Sequence, residues 1–422
     1  MGDIMLKITK NSLVRENLFF FIATNFTNLL GFIFHFYMGR KLGPEGYGIL
    51  GVILAIVYLF SITMNTIQTS IAKFTSKFKA NNEKEKISFL LVSSEKKLIK
   101  YGLIFNFIFL LITPLLSSFL KIPILPLIVL SIMITFELLL PIIRGTLQGL
   151  QRFNSLGFNL IIEGLVKLSF GILLVETGFN IIGAVIAIVL SYVVPFFYGN
   201  YNLRHIKKEE LKAFNTKELY KSTIPILITL ISLTAFYSID ILLVKHFFTD
   251  KEAGFYSATS LIGKILFFGS LSISQVMFSK VSALHEIKKP HLHLLKRSLM
   301  IILFLTVPGL LIYYLFPEII TMILFGKEYL SITPLIIWSG IMITIFSLVY
   351  MVSFYNLSIH KKNFVYILLS FNILEIVLIT LFHKSLLNIF IMISLLLFVL
   401  FLILIIKTFK ENEKNKHSNS SI

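Results

Sequence analysis

The residues with the clearest chemical potential are charges that lie inside long apolar runs. Lys264 has eight or more largely apolar positions on either side, and Asp240 lies on the preceding run. A charge at the centre of a bilayer costs roughly 2.5–3.5 kcal/mol on insertion scales, so Lys264 is expected to face a partner or a polar cavity. Two interpretations stay open: Lys264 binds an anionic group, or it pairs with Asp240.

A second charged set lies near the middle of the N-terminal half. Glu163 and Lys167 are four residues apart, a spacing that places both side chains on one helix face in the favourable Glu-before-Lys order. Mutual neutralisation is the default interpretation, and a pair that opens for an anionic ligand is the alternative. Arg144 follows Pro141 at the end of another run, where its planar fork could capture an anion or could anchor the helix end.

Polar residues on the first apolar run form a third set. Asn25, Asn28 and His35 fall near one helix face, where amides could contact sugars or could bond to neighbouring helices. His35 could carry a proton in a coupled cycle or could be a satisfied structural histidine. Arg40, at the end of this run, could help to release a ligand or could snorkel to the interface.

Two further carboxylates lie within apolar runs. Glu137 and Glu375 are candidates for coupling to protons or sodium, although no residue singles out the coupling ion.

Composition excludes several classes of protein. Hydrophobic residues make up 56% of the 422 positions and charged residues 14%, which excludes a soluble enzyme. There is no cysteine, so a thiolate metal site and a cysteine nucleophile are excluded. Aspartate occurs only at Asp3, Asp240 and Asp250, which removes a metal-nucleotide motif. No metal and no cofactor are expected.

The apolar runs predict an all-α integral membrane protein. A run of about 20 apolar residues crosses the hydrocarbon as a helix because its backbone groups then bond to one another. About twelve such runs occur, near residues 17–38, 46–70, 101–120, 123–143, 155–175, 180–200, 220–247, 253–279, 298–316, 331–355, 364–382 and 385–406.

Lys and Arg residues predict the orientation of these spans. Of the 39 Lys and Arg residues, 30 fall in segments on the side of the N-terminus and 7 on the opposite side. Since cytoplasmic loops carry such an excess, both termini are expected in the cytoplasm of a multi-pass cell-membrane protein. The same bias, with attraction to membrane lipids, explains the net charge of +18 without nucleic-acid binding.

The chain divides into two similar halves. The predicted segments are an N-terminal six-helix bundle, a cytoplasmic linker, a C-terminal six-helix bundle and a basic tail, at residues 1–203, 204–221, 222–407 and 408–422. Pro114 and Pro123 in the first half match Pro308 and Pro317 in the second, each pair nine residues apart. An even number of spans per half makes the repeats parallel, an arrangement that is typical of transporters.

Three strings carry a resemblance to a known family. GRKLGPEGYGIL (Gly39–Leu50), IRGTLQGLQRF (Ile143–Phe153) and SIDILLVKHFFTDKEAGFYSAT (Ser238–Thr259) resemble the polysaccharide-flippase branch of the multidrug/oligosaccharidyl-lipid/polysaccharide exporter superfamily. The resemblance implies two bundles in a V around a central cavity. It also implies a cargo, an isoprenoid-diphosphate-linked oligosaccharide that is turned from the cytoplasmic to the outer leaflet. We expect the two bundles to work by alternating access and the protein to be a monomer.

For such a cargo, each charge has an expected task. We expect Lys264 and Lys167 to meet the headgroup charge and Arg144 to capture the headgroup at the cytoplasmic side. Asp240 and Glu163 would hold these cations in the empty state.

Two other functions are weighed against this one. A multidrug or small-molecule antiporter on the same scaffold is the alternative, although cationic drugs favour acidic sites whereas Lys264 favours an anion. Glycosyl transfer would need a sizeable outer domain with acidic residues. The outer loops are short, with few carboxylates, so a transporter rather than an enzyme is expected. These carboxylates are Glu45, Glu176, Asp250, Glu252, Glu318 and Glu328.

Overall fold

The structure, a computed structural model, describes residues 2–214 and 224–419 and is all-helical over these residues. The all-α prediction is confirmed. The α-helices are α1 Gly2–Ala80, α2 Lys84–Leu120, α3 Ile124–Gly149, α4 Phe153–Leu174, α5 Asn180–Asn202, α6 Ile224–Ala235, α7 Ile239–Phe247, α8 Asp250–Glu286, α9 Leu292–Leu315, α10 Pro317–Leu324, α11 Thr333–Ser358, α12 Asn363–Leu381 and α13 Leu386–Asn419.

Long apolar helices account for all of the predicted spans. Within the described residues, ten stretches are long and apolar enough to cross a membrane. Two of these stretches, Leu18–Ala80 and Phe153–Asn202, each contain two of the predicted runs. The protein is therefore a multi-pass membrane protein, as predicted.

Glycines break the two double-length stretches. Gly43 has φ 66° and ψ 178° inside α1 and is followed by Pro44, which has no backbone N–H to donate. Gly178 has φ 93° in the π-helical turn Val175–Phe179 between α4 and α5. Positive φ favours glycine because it lacks a Cβ atom. Each break thus lies where one predicted run passes into the next.

The helices form two units, which we call unit 1 and unit 2. Unit 1 contains Met1–Leu42 and Ile56–Leu227, and unit 2 contains Gly43–Ala55 and Ile228–Ile422. This division differs from the predicted one, because residues 43–55 belong with the C-terminal half. The middle of α1 therefore passes from one unit to the other and back.

Close backbone contacts explain why residues 43–55 pack in unit 2. A Cβ atom at Gly48 would lie 2.3 Å from the carbonyl oxygen of Asp250, and one at Gly254 would lie 1.8 Å from that of Pro44. A Cβ atom at Gly51 would lie 2.3 Å from Oγ of Ser257. Two of the glycine-containing strings that carry the family resemblance thus pack directly against each other.

The first part of the predicted linker is attached to unit 1. Lys207 pairs with Glu95 of α2, and Ser88 Oγ donates to the carbonyl oxygen of Glu209 at 3.3 Å. Phe214 packs on the rings of Phe78 and other aromatic residues, with a centroid distance of 4.7 Å to Phe78. The remainder of the linker, residues 215–221, lies outside the described residues. At the C-terminus, α13 continues through the segment predicted as a tail as far as Asn419.

Candidate functional site

Arg144 organises a buried polar cluster in unit 1. Its Nη2 donates to Glu163 Oε2 at 2.5 Å and its Nε donates to Asn159 Oδ1 at 2.8 Å. Asn159 Nδ2 in turn donates to the carbonyl oxygen of Pro195 at 2.7 Å. These bonds join α3, α4 and α5 through one chain of polar contacts. Asn159 was not among the candidate residues, because a lone asparagine in an apolar run has no distinguishing spacing.

The partner of Glu163 differs from the sequence prediction. The spacing predicts a pair with Lys167, whereas the carboxylate bonds to Arg144 from the neighbouring helix. A pair within one helix contributes only about 0.2–0.5 kcal/mol, so a buried charge-assisted bond to a guanidinium displaces it. Arg144 is 5% exposed, which does not fit an anchor at the membrane surface.

Lys167 is left as a partly exposed cation. Its Nζ lies 4.9 Å from the centroid of the Phe34 ring, and Glu163 attracts it electrostatically. Among the described residues, no hydrogen bond or ion pair holds this ammonium group. It therefore keeps its donors for another acceptor.

Two other candidates lie buried in unit 1. Glu137, two turns before Arg144 on α3, has both carboxyl oxygens buried. The side chain of Tyr192 interacts with this carboxyl group, and Glu163 and Arg144 act on it electrostatically. His35 is buried, and its Nε2 lies 3.1 Å from the hydroxyl of Tyr58.

The remaining candidates of unit 1 have exposed side chains. Asn25 and Asn28 are exposed on α1, and Asn25 Nδ2 donates to the carbonyl oxygen of Phe21 at 2.8 Å. His35 is buried, so the helix face predicted from these three residues is divided between exposed amides and a buried ring. Arg40 is exposed close to an ion pair between Lys41 and Glu176, with Nζ and Oε2 2.7 Å apart.

Asp240 is the centre of the corresponding cluster in unit 2. Tyr256 donates its hydroxyl to Oδ2 at 2.7 Å, and the backbone N–H of Ile241 donates to Oδ1 at 2.7 Å. Asp240 is fully buried. In a continuous helix, the N–H of Ile241 would bond to the carbonyl of Tyr237. The aspartate takes this donor instead and leaves that carbonyl for another partner.

Lys264 is the hydrogen-bond donor to the Tyr237 carbonyl, which Asp240 leaves without its helical partner. Lys264 Nζ donates to the carbonyl oxygen of Tyr237 at 3.0 Å and lies 5.0 Å from the centroid of the same ring. Asp240 and Lys264 also attract each other electrostatically. Lys264 is 9% exposed, so this cation is more enclosed than Lys167. The structure thus brings the two predicted residues together, with the main chain between them.

The break between α6 and α7 makes this arrangement possible. Residues 236–238 interrupt the seventh predicted span, and Ser238 precedes the first residue of α7. Irregular backbone at membrane depth occurs where protein or a cavity satisfies it, and here Lys264 does so. The sequence offered only the Ser-Ile-Asp string as a signal for this break.

Glu375 on α12 is the fourth ionisable residue of unit 2 in this region. It is fully buried, and neither carboxyl oxygen has a hydrogen-bond partner among the described residues. Glu375 interacts electrostatically with Asp240 and also with Tyr256. Glu137 in unit 1 and Glu375 in unit 2 are thus both carboxyl groups buried in membrane helices.

The clusters consist of cations, carboxylates and amides in membrane helices. Over the described residues, no group of three or more His, Asp or Glu side chains could hold a metal ion. What the clusters offer is charge in an apolar setting: an ammonium and a guanidinium in unit 1 and an ammonium in unit 2. Such groups can stabilise an anion that must enter the membrane.

Comparisons with known proteins identify the family of the chain. A profile of the family described as "Polysaccharide biosynthesis protein" matches residues 13–285. An uncharacterized membrane protein of Methanocaldococcus jannaschii, MJ1375, is 23% identical over 310 residues, which cover 68% of this chain and 71% of that protein.

Two solved structures share the fold. One is an inward-facing multidrug resistance transporter of the MATE family, with a TM-score of 0.78 and 14% identity over 93% of this chain and 96% of that one. The other is the lipid II flippase MurJ in an inward closed conformation, with a TM-score of 0.72 and 16% identity over 93% of this chain and 87% of that one.

Proposed function

The chain belongs to the polysaccharide biosynthesis protein family, and from that premise we propose that it flips an anionic, lipid-linked saccharide across the membrane. The cargo is an isoprenoid-diphosphate-linked oligosaccharide that moves from the cytoplasmic to the outer leaflet by alternating access. The family match and the fold shared with transporters support a transport function. The charges of the two units support the choice of cargo.

The choice of an anionic cargo depends on the position of Lys167, whose ammonium group has no hydrogen bond or ion pair among the described residues. An ammonium group within a membrane span is costly unless an acceptor or water stabilises it. Arg144 pairs with Glu163, the carboxylate that the sequence predicts as the partner of Lys167. A diphosphate oxygen would therefore be a favourable acceptor for the Lys167 ammonium group. We propose that Lys167 binds the headgroup while Glu163 and Arg144 keep the helices in register around it.

The other candidate residues have supporting roles in this proposal. Lys264 is a second cation for the headgroup once it leaves the Tyr237 carbonyl, and the exposed amides of Asn25 and Asn28 contact sugar hydroxyls. Arg40 assists release at the outer end. We propose a monomer in the cell membrane with both termini in the cytoplasm, as the Lys and Arg bias predicts.

Export of a cationic drug is the competing function on this fold. A cation needs an accessible carboxylate, and the candidates here are poorly suited to that task. Glu137 and Glu375 are buried, and Glu163 is bonded to Arg144. The distribution of charge therefore favours an anionic cargo.

A flipping assay on purified protein in proteoliposomes tests the proposal. The substrate is a fluorescent short-chain polyprenyl diphosphate disaccharide, and Lys167→Gln is compared with Lys167→Arg. Flipping is expected to fall at least about tenfold in the Gln variant, equivalent to about 1.4 kcal/mol, and to be largely retained in the Arg variant. Lys384→Ala is the matched control, since Lys384 is exposed between α12 and α13.

The outcomes test the assignment of Lys167 and the choice of cargo separately. If Lys167→Gln flips the substrate as fast as the parent protein, the assignment of Lys167 is wrong. If the parent protein does not flip the substrate but expels a cationic dye, the antiporter is the correct function and the saccharide cargo is refuted.

A further inference from the structure

A small basic pocket lies in unit 2 where α11 ends, α12 begins and α13 passes. We call it the lysine pocket, and its cavity measures about 120 Å³. One ordered water needs only roughly 10–15 Å³, so a larger polar group fits. The lining residues are Asn356, Lys361, Lys362, Asn363, Phe364, Leu404, Lys407 and Thr408.

A buried pair of polar residues is part of the pocket wall. Asn356 Nδ2 donates to Thr408 Oγ1 at 2.9 Å, and Thr408 Oγ1 also donates to the carbonyl oxygen of Leu404 at 2.7 Å. Asn356 and Thr408 are 3% and 2% exposed. This pair joins α11 to α13 at the wall of the pocket.

The charge of the pocket is positive. Lys361, Lys362 and Lys407 line it, and none of its described lining residues is acidic. Lys361 and Lys362 lie in the short turn before α12, whose first residue is Asn363. The N-terminus of a helix of this length adds a partial positive charge and N–H donors to the lysine side chains. An anion is therefore the complementary ligand.

Histidines beside the pocket are also affected by its positive charge. His291 lies 2.8 Å from the hydroxyl of Tyr355 through Nδ1 and 3.3 Å from His285 Nδ1 through Nε2. Burial lowers the pKa of His291, and the electrostatic interactions with His285, Lys361 and His293 lower it further. Lys361 thus acts electrostatically on a residue next to the start of α9.

We propose that the lysine pocket binds a phosphate group, either in the headgroup of an anionic lipid or as free phosphate. This site is separate from the charged clusters to which the flipping proposal assigns the cargo. It lies at the end of the unit that the Lys and Arg bias predicts to face the cytoplasm. The outward sides of Ile403 and Ile406 are exposed on α13 within one turn of Lys407, where acyl chains could lie. Basic pockets between membrane helices at the cytoplasmic side are suited to lipid headgroups.

Binding measurements on the full-length protein in detergent test this proposal without any transport step. Native mass spectrometry counts bound phosphatidylglycerol against phosphatidylcholine, and a thermal-shift titration with inorganic phosphate tests the free ion. The triple variant Lys361→Ala/Lys362→Ala/Lys407→Ala is compared with the parent protein. Anion binding in one of these arms is expected to fall at least about tenfold in the triple variant.

Controls separate the pocket from general surface charge and from misfolding. Lys384→Ala removes a lysine at the opposite end of α12 and α13 and is expected to leave binding unchanged. Lys362→Ala removes an exposed side chain, so it is expected to fold and to weaken binding several-fold even if the triple variant fails to fold.

Each result decides the question. Loss of phosphatidylglycerol alone identifies a lipid headgroup, and loss of the phosphate response identifies a free ion. If Lys362→Ala and the triple variant bind both probes as the parent does, or if the parent protein binds neither probe, the proposal is overturned. The flipping assay is not involved, so either proposal can fail without the other.

Discussion

The two units stabilise the charged side chains within their membrane helices in different ways. In unit 1, Arg144 meets the carboxylate of Glu163 directly, and the Glu163 side chain is still 24% exposed. In unit 2, Lys264 meets the main-chain carbonyl of Tyr237, while fully buried Asp240 has donors of its own. The first cluster is an ion pair near an accessible surface, and the second is an enclosed network built on a helix break.

The difference follows from the type of cation and from the backbone. Guanidinium has five donors in a planar fork, so Arg144 can bond to a carboxylate and an amide at once on unbroken helices. Ammonium is a compact point charge that adapts to one strong acceptor. The helix break in unit 2 supplies that acceptor. The cluster of unit 1 is therefore expected to respond to a ligand first, whereas the cluster of unit 2 also stabilises the fold.

Removal of Asp240 is expected to have the largest effect on stability. Asp240→Ala deprives the Ile241 N–H and the Tyr256 hydroxyl of their acceptor and leaves Lys264 without a counter-charge. Breaking a buried charged network in this way costs about 3–5 kcal/mol. Thermal unfolding in detergent measures the loss, with Asp240→Asn as a milder control. A melting temperature unchanged in Asp240→Ala would remove the distinction between the clusters.

Removal of Arg144 is expected to cost less, about 2–3 kcal/mol. Arg144→Met leaves Glu163 without its partner, but the partial exposure of Glu163 permits some hydration. The double variant Arg144→Met/Glu163→Gln should recover part of the stability, because no unpaired charge then remains. Additive losses in this double-mutant cycle would show that the two residues are not coupled.

The hydroxyl of Tyr256 is expected to contribute about 1.5–3 kcal/mol, as hydrogen bonds to charged groups do. Tyr256→Phe keeps the ring that stacks on Phe390 at a centroid distance of 4.5 Å and removes only the donor to Asp240. Urea unfolding of the purified protein measures the change. A loss below about 0.5 kcal/mol, the lower end for a neutral hydrogen bond, would show that Asp240 does not depend on this donor.

Lys167 is expected to have the smallest effect on stability. Lys167→Gln removes the contact with the Phe34 ring, which contributes about 0.5–1 kcal/mol at an exposed site. The same variant is expected to lower flipping strongly, so stability and transport should separate at this residue. A loss of stability as large as that of Arg144→Met would indicate a structural role for Lys167 instead.

Local patterns in the sequence were sufficient for the membrane spans and the family. The length and hydropathy of each apolar run are properties of neighbouring residues, so each predicted run corresponds to an apolar helical stretch within the described residues, although residues 236–238 interrupt the seventh. The glycine-containing strings were recognised in the same way, and the family profile covers residues 13–285. The intramembrane charges could also be identified individually.

Only the tertiary structure decided which partner each charge has. Arg144 and Glu163 are 19 positions apart and Lys264 and Tyr237 are 27 apart, so no helical spacing relates them. The packing of residues 43–55 in unit 2 depends in the same way on Gly254, far along the chain. Hydropathy is summed along a segment, whereas a hydrogen bond is decided by which atoms meet when separate helices pack. For that reason the sequence alone determined where the membrane helices lie, and the folded chain determined their chemistry.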